Sequence, residues 1–408
     1  DCGVTFPGPH LPGVDLVLPD IRFLEAEREK VRGIVITHAH EDHYGALLAL
    51  YPRISPEGTL PVHATAFTAG LLEAKAQSEP GAPKIDVTIF QPGDTLKIGS
   101  FDVTSVAVTH SIPEPVSLAI KTPLGTVLHT GDWKDDDDPS MGPKTDRNAF
   151  EKLGDRGVLA LICDSTNVFT PGDSGSEGDL LDSLTEVIGD CQGKVAVACF
   201  ASNVARLETI AQAAQANDRD VVLAGRSLWR INDAARENGY LDDVPAFISE
   251  EDAGHIPDDK VLFVCTGSQG EPGAALGRLA AGSHPHLSLE AGDTVIFSSR
   301  LIPGNEAALE RIKQGLKEQG VELIDDDMQP EVHASGHPPQ DDLRQLYSWL
   351  KARYLLPVHG ETYHQQAHMT FGRELGLRGL VPANGDLIDL SGQPAKVAEL
   401  PHGLIELG

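Results

Sequence analysis

Gly33-Ile-Val-Ile-Thr-His-Ala-His-Glu-Asp-His-Tyr-Gly45 decides how this chain is read. Ile34 to Ile36 form a short apolar run, expected as a buried strand, which stops at Thr37. His38, His40, Asp42 and His43 follow in the pattern H-x-H-x-D-H, and Tyr44 to Tyr51 has the look of an apolar helix. The four side chains therefore belong to a loop between a strand end and a helix start. Imidazole and carboxylate suit a divalent ion such as zinc or manganese. In extended geometry His38 and His40 point the same way. Asp42 and His43 lie past the turn and can face a second ion about 3.5–4 Å from the first. A His-rich surface loop or a tract that collects stray metal is the bland alternative, and the flanking strand and helix argue against it. Four ligands are too few for two closed sites, so the rest of the chain is expected to supply at least one more His and a bridging carboxylate.

The chain has 408 residues, which points to two or three domains with room for a sizeable core. It carries 61 acidic against 32 basic residues, a net charge of −29 with His neutral. Such acidity argues against a surface that binds nucleic acid everywhere, though not against a local basic groove or one charged by bound metal. No apolar run approaches the ~20 residues of a membrane span. The five cysteines form no C-x-x-C pair, and Cys163, Cys199 and Cys265 close apolar strand-like runs. Buried, reduced thiols are expected, as in a cytoplasmic enzyme. The first residue is Asp1 rather than a methionine. Asp1 has the position of the last residue of a strand whose body precedes it, so an upstream segment is expected.

Further donors lie at strand ends. Phe101 to Thr109 alternates as a strand and delivers His110. Leu118 to Lys121 and Thr126 to His129 form a hairpin around Pro123-Leu-Gly125, and Thr130-Gly-Asp132-Trp follows. Tyr354 to Val358 is an apolar strand ending in His359-Gly360-Glu361. His110, Asp132 and His359 thus share the geometric place of the first ligands. His63, inside the Val62-His63-Ala64 strand, is structural. Ile21 to Arg32 and Thr65 to Lys75 are helix-like, and the acidic run Asp135 to Asp138 is a solvated loop. Leu380 to Leu390 is expected to be a hairpin turning at Asn384-Gly385.

Thr170 to Gly178, rich in Gly, Pro, Ser and Asp, marks a domain boundary. Beyond it a strand, a small-residue loop and a helix start recur four times, with strands at Lys194–Phe200, Asp220–Ala224, Val261–Cys265 and Val295–Ser298. That rhythm means a parallel sheet with covering helices. Loops at the carboxyl ends of such strands bind ligands, and helix starts favour phosphate. Arg226, Ser268, Ser298, Ser299 and Arg300 are accordingly candidate phosphate contacts. None of the loops is a Walker or dinucleotide fingerprint. Glu331-Val-His333-Ala-Ser335-Gly336-His337 then leads the chain back toward the first domain. The expected division is 1–176, an inserted 177–340, and 341–408.

Several strings together resemble the bacterial ribonuclease J family, in the β-CASP branch of the metallo-β-lactamase superfamily. They are Thr37-His-Ala-His-Glu-Asp-His43, His110-Ser-Ile-Pro-Glu114, His129-Thr-Gly-Asp-Trp-Lys134, Cys163-Asp-Ser-Thr-Asn167, Thr266-Gly-Ser-Gln-Gly-Glu-Pro272, Ser299-Arg-Leu-Ile-Pro-Gly-Asn305, His333-Ala-Ser-Gly-His337 and Pro357-Val-His-Gly-Glu361. The first string alone points only to the superfamily; the later ones single out the ribonuclease. The resemblance implies an α/β fold, a metallo-β-lactamase αββα sandwich with an inserted parallel-sheet β-CASP domain, its opening strands lying before Asp1. It implies one ion on His38, His40 and His110, a second on Asp42, His43 and His359, and Asp132 bridging them. It also implies that Asp164 orients the cluster and that His337 lies near the leaving group. The implied activity is endonucleolytic cutting of RNA and 5′-to-3′ decay from a 5′-monophosphate end. A C-terminal domain that supports a homodimer or tetramer would lie beyond Gly408.

Two divalent cations, zinc first and manganese or magnesium as alternatives, supply a water nucleophile at neutral pH and stabilise charge on the phosphate. The leaving 3′-oxygen needs a proton, and His337 is the candidate general acid, with Asp42 and Asp164 completing the catalytic set. RNA is expected in a cleft between the two domains, near His333, Ser335, Gly336 and His337. Two other classes compete. A small thioester or lactone hydrolase needs no second lobe. A metal-free RNA-binding scaffold would have lost ligands, and all seven are present.

Overall fold

Runs that are apolar throughout become central parallel strands, and alternating ones become strands with one dry face. Both kinds occur in the computed structural model, which describes residues 1–5, 13–14, 16–302, 304–325 and 332–407. Of the residues named above, Pro303, Glu331 and Gly408 lie outside that set. The chain divides into two compact units. One comprises Asp1–Asp136, Gly142–Ser174 and Gly336–Gly408; the other comprises Asp137–Met141 and Gly175–Ser335.

The first unit is built on a seven-stranded sheet. Its order is Arg378–Gly379, Tyr354–Val358, Val158–Asp164, Gly125–His129, Val116–Thr122, Phe101–Ala107 and Thr95–Ile98. The first four run parallel and the rest form an antiparallel meander. A smaller parallel sheet holds Ile34–Val35, Val62–Ala64 and Val87–Ile89. Phe90, Ile98, Val103, Val116 and Leu118 pack with Val35 between the two sheets. Helices Arg147–Arg156, Gln340–Leu350 and Thr362–Glu374 cover the outside of the larger sheet through Phe150, Leu343, Leu346, Met369 and Phe371. On the other side, helix Leu47–Ile54 buries Leu50 and Ile54 against Leu18 and Ile21. The layers are helix, sheet, sheet, helix.

The second unit has five parallel strands in the order Asp220–Ala224, Val261–Cys265, Val195–Ala198, Thr294–Phe297 and Glu322–Ile324. Four of them are the strands of the repeating rhythm. The fifth, Glu-Leu-Ile, is a short edge strand too brief to show a period. Arg206 is fully buried here. Its guanidinium donates to Glu177 (2.8 Å), to the carbonyl and hydroxyl of Ser298 (2.9 and 2.7 Å) and to the Ala334 carbonyl (3.1 Å). Charge-assisted hydrogen bonds of this kind are about twice as strong as neutral ones. They tie the 332–335 segment to helix Val204–Ala216.

Three local expectations are corrected. The Asp135 to Asp138 run is not wholly solvated. Asp136 is buried and pairs with the buried Lys134 ammonium at 2.8 Å, and Asp135 accepts from Arg147. The hairpin after residue 380 turns later than Asn384-Gly385. Asn384-Gly385 does form a turn, closed by Asp386 on Ala383, but strand Asp386–Asp389 pairs forward with Ala395–Glu399. Pro382, lacking an N–H, cannot serve the earlier hairpin. The Ile21 to Arg32 helix ends at Ala26 and resumes as a 3-10 turn over Arg28–Lys30, and the Arg28 and Arg32 side chains take up the Glu25 and Glu29 carbonyls that a continuous helix would have bonded.

All five cysteines are free, and burial pushes the Cys199 thiol up to about 12. Among the described residues no helix is long and apolar enough to cross a membrane. The Lys134–Asp136 pair is testable. Asp136→Ala removes the carboxylate 2.8 Å from the buried Lys134 ammonium, and is expected to destabilise the first unit by about 3–5 kcal/mol. A urea midpoint equal to wild type would contradict the pairing.

Candidate metal centre

The signature loop is clamped before it presents a ligand. Lys75 Nζ donates to Glu41 Oε2 (2.6 Å) and the Gly45 carbonyl (3.0 Å). Gly3 passes so close that a Cβ there would sit 1.6 Å from the Asp42 carbonyl oxygen, so only glycine fits. Helix Glu41–Tyr44 starts with His40 as its extended first cap, which swings His40 and Asp42 to opposite sides of the turn.

Seven donors converge, in two overlapping groups. His38, His40, His110 and Asp132 form one, and Asp42, His43, Asp132 and His359 the other. In the first, His40 Nδ1 lies 3.2 Å from His38 Nε2 and 3.0 Å from His110 Nε2. Asp132 Oδ2 is common to both groups. It stands 3.7 and 3.8 Å from the Nε2 atoms of His38 and His110, and 3.2 and 3.4 Å from those of His43 and His359. Asp42 Oδ2 approaches His43 Nε2 at 3.6 Å and His359 Nε2 at 3.8 Å.

Outer partners fix which nitrogen faces inward. His38 Nδ1 meets Thr37 Oγ1 at 3.0 Å, and His110 Nδ1 donates to the Gly336 carbonyl at 2.5 Å. A Cβ on Gly336 would be 2.9 Å from the His110 ring. His43 Nδ1 donates to Asp1 Oδ2 at 2.8 Å, while Asp1 also accepts from the Thr37 N–H and hydroxyl. Asp1 was missed as a site residue. Its signal was present, a carboxylate at a strand end, the same position that singles out His110 and Asp132. His359 holds a left-handed backbone, φ 60°, a strain of order 1–3 kcal/mol that its loop must overcome.

The donor set fits a divalent cation. Burial pushes His38 and His110 well below the ordinary imidazole range and His40 to about 3, so all three present lone pairs at neutral pH. Their nitrogens crowd within 3.0–3.2 Å of one another. His43 Nε2 is buried and faces Asp132 Oδ2 at 3.2 Å. Burial also opposes protonation of His359, but the Asp132 carboxylate outweighs it and holds that ring up at about 9. A positive charge belongs beside Asp132, and imidazole plus carboxylate is a metal-binding chemistry.

Next to the cluster, Asp164 Oδ2 accepts from His337 Nδ1 at 2.7 Å. Thr166 fills the other oxygen through its N–H (2.9 Å) and hydroxyl (2.8 Å). Burial works against a proton on His337, yet the Asp164 carboxylate raises it above its ordinary value. His63 belongs to no donor group among the described residues.

The candidate phosphate contacts divide. The Ser268 and Ser299 hydroxyls are buried without a hydrogen-bond partner, on loops after the two strands flanking the central Val195–Ala198. Arg226 is exposed at the first position of its helix. Arg300 is exposed on a loop pinned by Gln269, whose side chain bonds the Arg300 carbonyl (2.9 Å) and the Ile302 N–H (2.8 Å). Ser298 is otherwise engaged. Its buried hydroxyl donates to the Val332 carbonyl at 2.6 Å and accepts from Arg206, so it supports the fold. His333 Nδ1 lies 3.3 Å from the same arginine. Ser335 and Gly336 are half-buried.

Comparison with known proteins matches three family models. They are the Beta-lactamase superfamily domain over residues 7–147, Ribonuclease J, beta-CASP domain over 192–316, and Zn-dependent metallo-hydrolase RNA specificity domain over 328–382. The chain is 50% identical over 411 residues to a ribonuclease J of Sinorhizobium meliloti, covering 99% of this chain and 71% of the relative. It is 36% identical over 414 residues to a ribonuclease J of Thermus thermophilus, covering 99% and 72%. Among solved structures, a protein of unknown function from Enterococcus faecalis V583 shares the fold. Its TM-score is 0.60 at 16% identity, over 92% of this chain and 81% of that one.

The Asp1 contacts generate a test. Asp1→Ala frees the His43 ring and the Thr37 hydroxyl, and is expected to weaken metal retention about 10–100-fold. Competition with a chelator reads the change; retention equal to wild type would leave Asp1 no role at the centre.

Proposed function

The chain belongs to the ribonuclease J family, and from that premise we propose that it is a metal-dependent ribonuclease working at two divalent ions. The observation that carries the proposal is the place of Asp132 Oδ2, within 3.8 Å of four imidazole nitrogens contributed by two donor groups. His38, His40 and His110 would hold one ion, Asp42, His43 and His359 the other, and Asp132 would touch both. Five imidazoles favour zinc or manganese; magnesium prefers an all-oxygen shell. Bound there, the ions supply a water nucleophile at neutral pH and offset charge on the scissile phosphate.

The rest falls to the protein. With Nδ1 tied to Asp164, His337 would carry the proton for the departing 3′-oxygen on Nε2. Thr166 keeps the Asp164 carboxylate from rotating away. Asp42, the most solvent-open of the donors, lies where substrate can reach it. Ser335 and Gly336, the orphaned hydroxyls of Ser268 and Ser299, and the exposed Arg226 and Arg300 are proposed contacts for the RNA backbone and a 5′-monophosphate. Cutting would then occur both internally and stepwise from the 5′ end. Five free cysteines fit a reducing compartment, and the cytoplasm is the proposed location, with a homodimer or tetramer as the working form.

The central experiment loads the chain with zinc or manganese, adds 5′-monophosphate or 5′-triphosphate RNA, and sizes the products. Single nucleotides from the monophosphate, and internal fragments from both, are expected. A thioester that is cleaved while RNA stays whole would favour the small-substrate hydrolase.

His337→Gln is expected to lower kcat/KM on RNA by about 10²–10⁴-fold with metal content kept. The acid form of His337 is present below its raised value and is lost as pH climbs through it. Asp164→Asn removes the group that raises it, so the alkaline limb of kcat/KM should move to lower pH. A limb that stays in place would remove His337 from the acid role. Ser335→Ala should slow stepwise decay of monophosphorylated RNA more than internal cutting; equal losses would place the 5′-phosphate contact elsewhere.

A further inference from the structure

Phe169 stands five residues beyond Asp164 in a turn that is fixed on every side. The Val168 N–H donates to the Ser165 carbonyl at 3.2 Å. Thr170 bonds Asn167 through its N–H (3.0 Å) and hydroxyl (2.6 Å). Gln340 reaches the Thr170 carbonyl with its N–H and the Val168 carbonyl with its side chain, each at 3.0 Å. Val168 goes into the core at 2% exposure, while its neighbour Phe169 is 57% exposed. Tyr363, four residues beyond His359 and in the first turn of helix Thr362–Glu374, is 48% exposed.

These rings are neighbours. The Phe169 and Tyr363 centroids are 5.9 Å apart with planes inclined by 26°. His364 completes the group, 5.5 Å from Phe169 and 4.1 Å from Tyr363. Its Nδ1 accepts from the Glu361 N–H at 3.1 Å, and its ring lies 3.3 Å from where a Cβ on Gly360 would be. Gly360 directly follows His359. An aromatic surface held by two rigid segments thus adjoins the residues of the metal centre. A packed core has no use for rings that are half in water.

We infer that Phe169 and Tyr363, backed by His364, form a stacking platform for a nucleobase of single-stranded RNA beside the metal centre; this rests on the ribonuclease activity proposed above. Every base offers a π-face, so stacking binds without regard to sequence, which suits an enzyme that degrades a strand as it comes. Hydrogen-bond donors and acceptors that would read a base edge are not needed.

The test measures KM and kcat of the metal-loaded chain on a 5′-monophosphate oligoribonucleotide. A second series of the same strand carries one base-free ribose at successive positions. Phe169→Ala with Tyr363→Ala is expected to raise KM roughly tenfold, the loss falling on KM rather than kcat. Phe169→Trp and Tyr363→Phe should keep the wild-type KM. Phe169→Leu with Tyr363→Leu, which preserves apolar bulk but not the π-face, should lose as much as the alanine pair. In wild type, one base-free position should cost a similar factor, and that cost should vanish in the alanine pair. A KM unchanged in the alanine pair, a leucine pair equal to wild type, or a base-free penalty that persists in the variants would each overturn the platform. Failure of the wild-type chain to cut any RNA is a separate result, which overturns the ribonuclease proposal and the platform with it.

Discussion

A carboxylate buried at 2% exposure among four imidazoles is the constraint on which the first unit depends. Burying Asp132 alone would be prohibitive, so positive charge must be gathered around it. The sheet accomplishes this by adjacency. Tyr354–Val358, Val158–Asp164 and Gly125–His129 are parallel neighbours, and His359, Asp164 and Asp132 sit at or just past their carboxyl ends. Strand spacing of about 4.8 Å sets the three side chains in a row. Phe101–Ala107 points the same way and delivers His110 to the same edge. The facing sheet adds His38 and His40 from the end of Ile34–Val35.

Precision then comes from groups that never meet a substrate. Asp1, Thr37 and the Gly336 carbonyl each take the outward nitrogen or hydrogen of an inward-facing ligand. Thr166 does the same for Asp164, one step further out. The donor cluster and the His337–Asp164 pair are therefore held by two different chains of contacts that share a neighbourhood. The His337 ring lies 5.1 Å from that of His110 and 5.6 Å from that of His359, so the two chains of contacts meet at neighbouring rings.

The clustering of the donors was legible because His110, Asp132 and His359 follow strands and the H-x-H-x-D-H string follows another, and strand ends show in a sequence as apolar runs that stop. The four strand–loop–helix units of the second unit were legible for the same reason. What stayed hidden depends on partners far along the chain. Arg206 looks like any helical arginine until Glu177, 29 residues away, and Ala334, 128 residues away, close around it. Asp136 belongs to a run that composition alone marks as wet, and only the burial of Lys134 makes it dry. Ser298 has the right place for a phosphate contact, yet its hydroxyl is consumed by Val332 and Arg206. The Asn384-Gly385 turn signal was real as a turn and wrong as a hairpin, because pairing is decided by which strand has a free partner.

A net charge of −29 bears on how such a protein can hold RNA at all. Basic RNA-binding proteins gather their substrate over a distance by releasing counterions from phosphates. Here the overall field opposes approach, and screening confines that opposition to about 8 Å at physiological salt. Affinity must then arise from contacts made inside that range. The contacts proposed above, at exposed Arg226 and Arg300, at the Ser268 and Ser299 hydroxyls and at the aromatic faces of Phe169 and Tyr363, would all be of that short-range kind. Of these, stacking is the one that salt does not weaken and that the backbone charge of RNA does not govern.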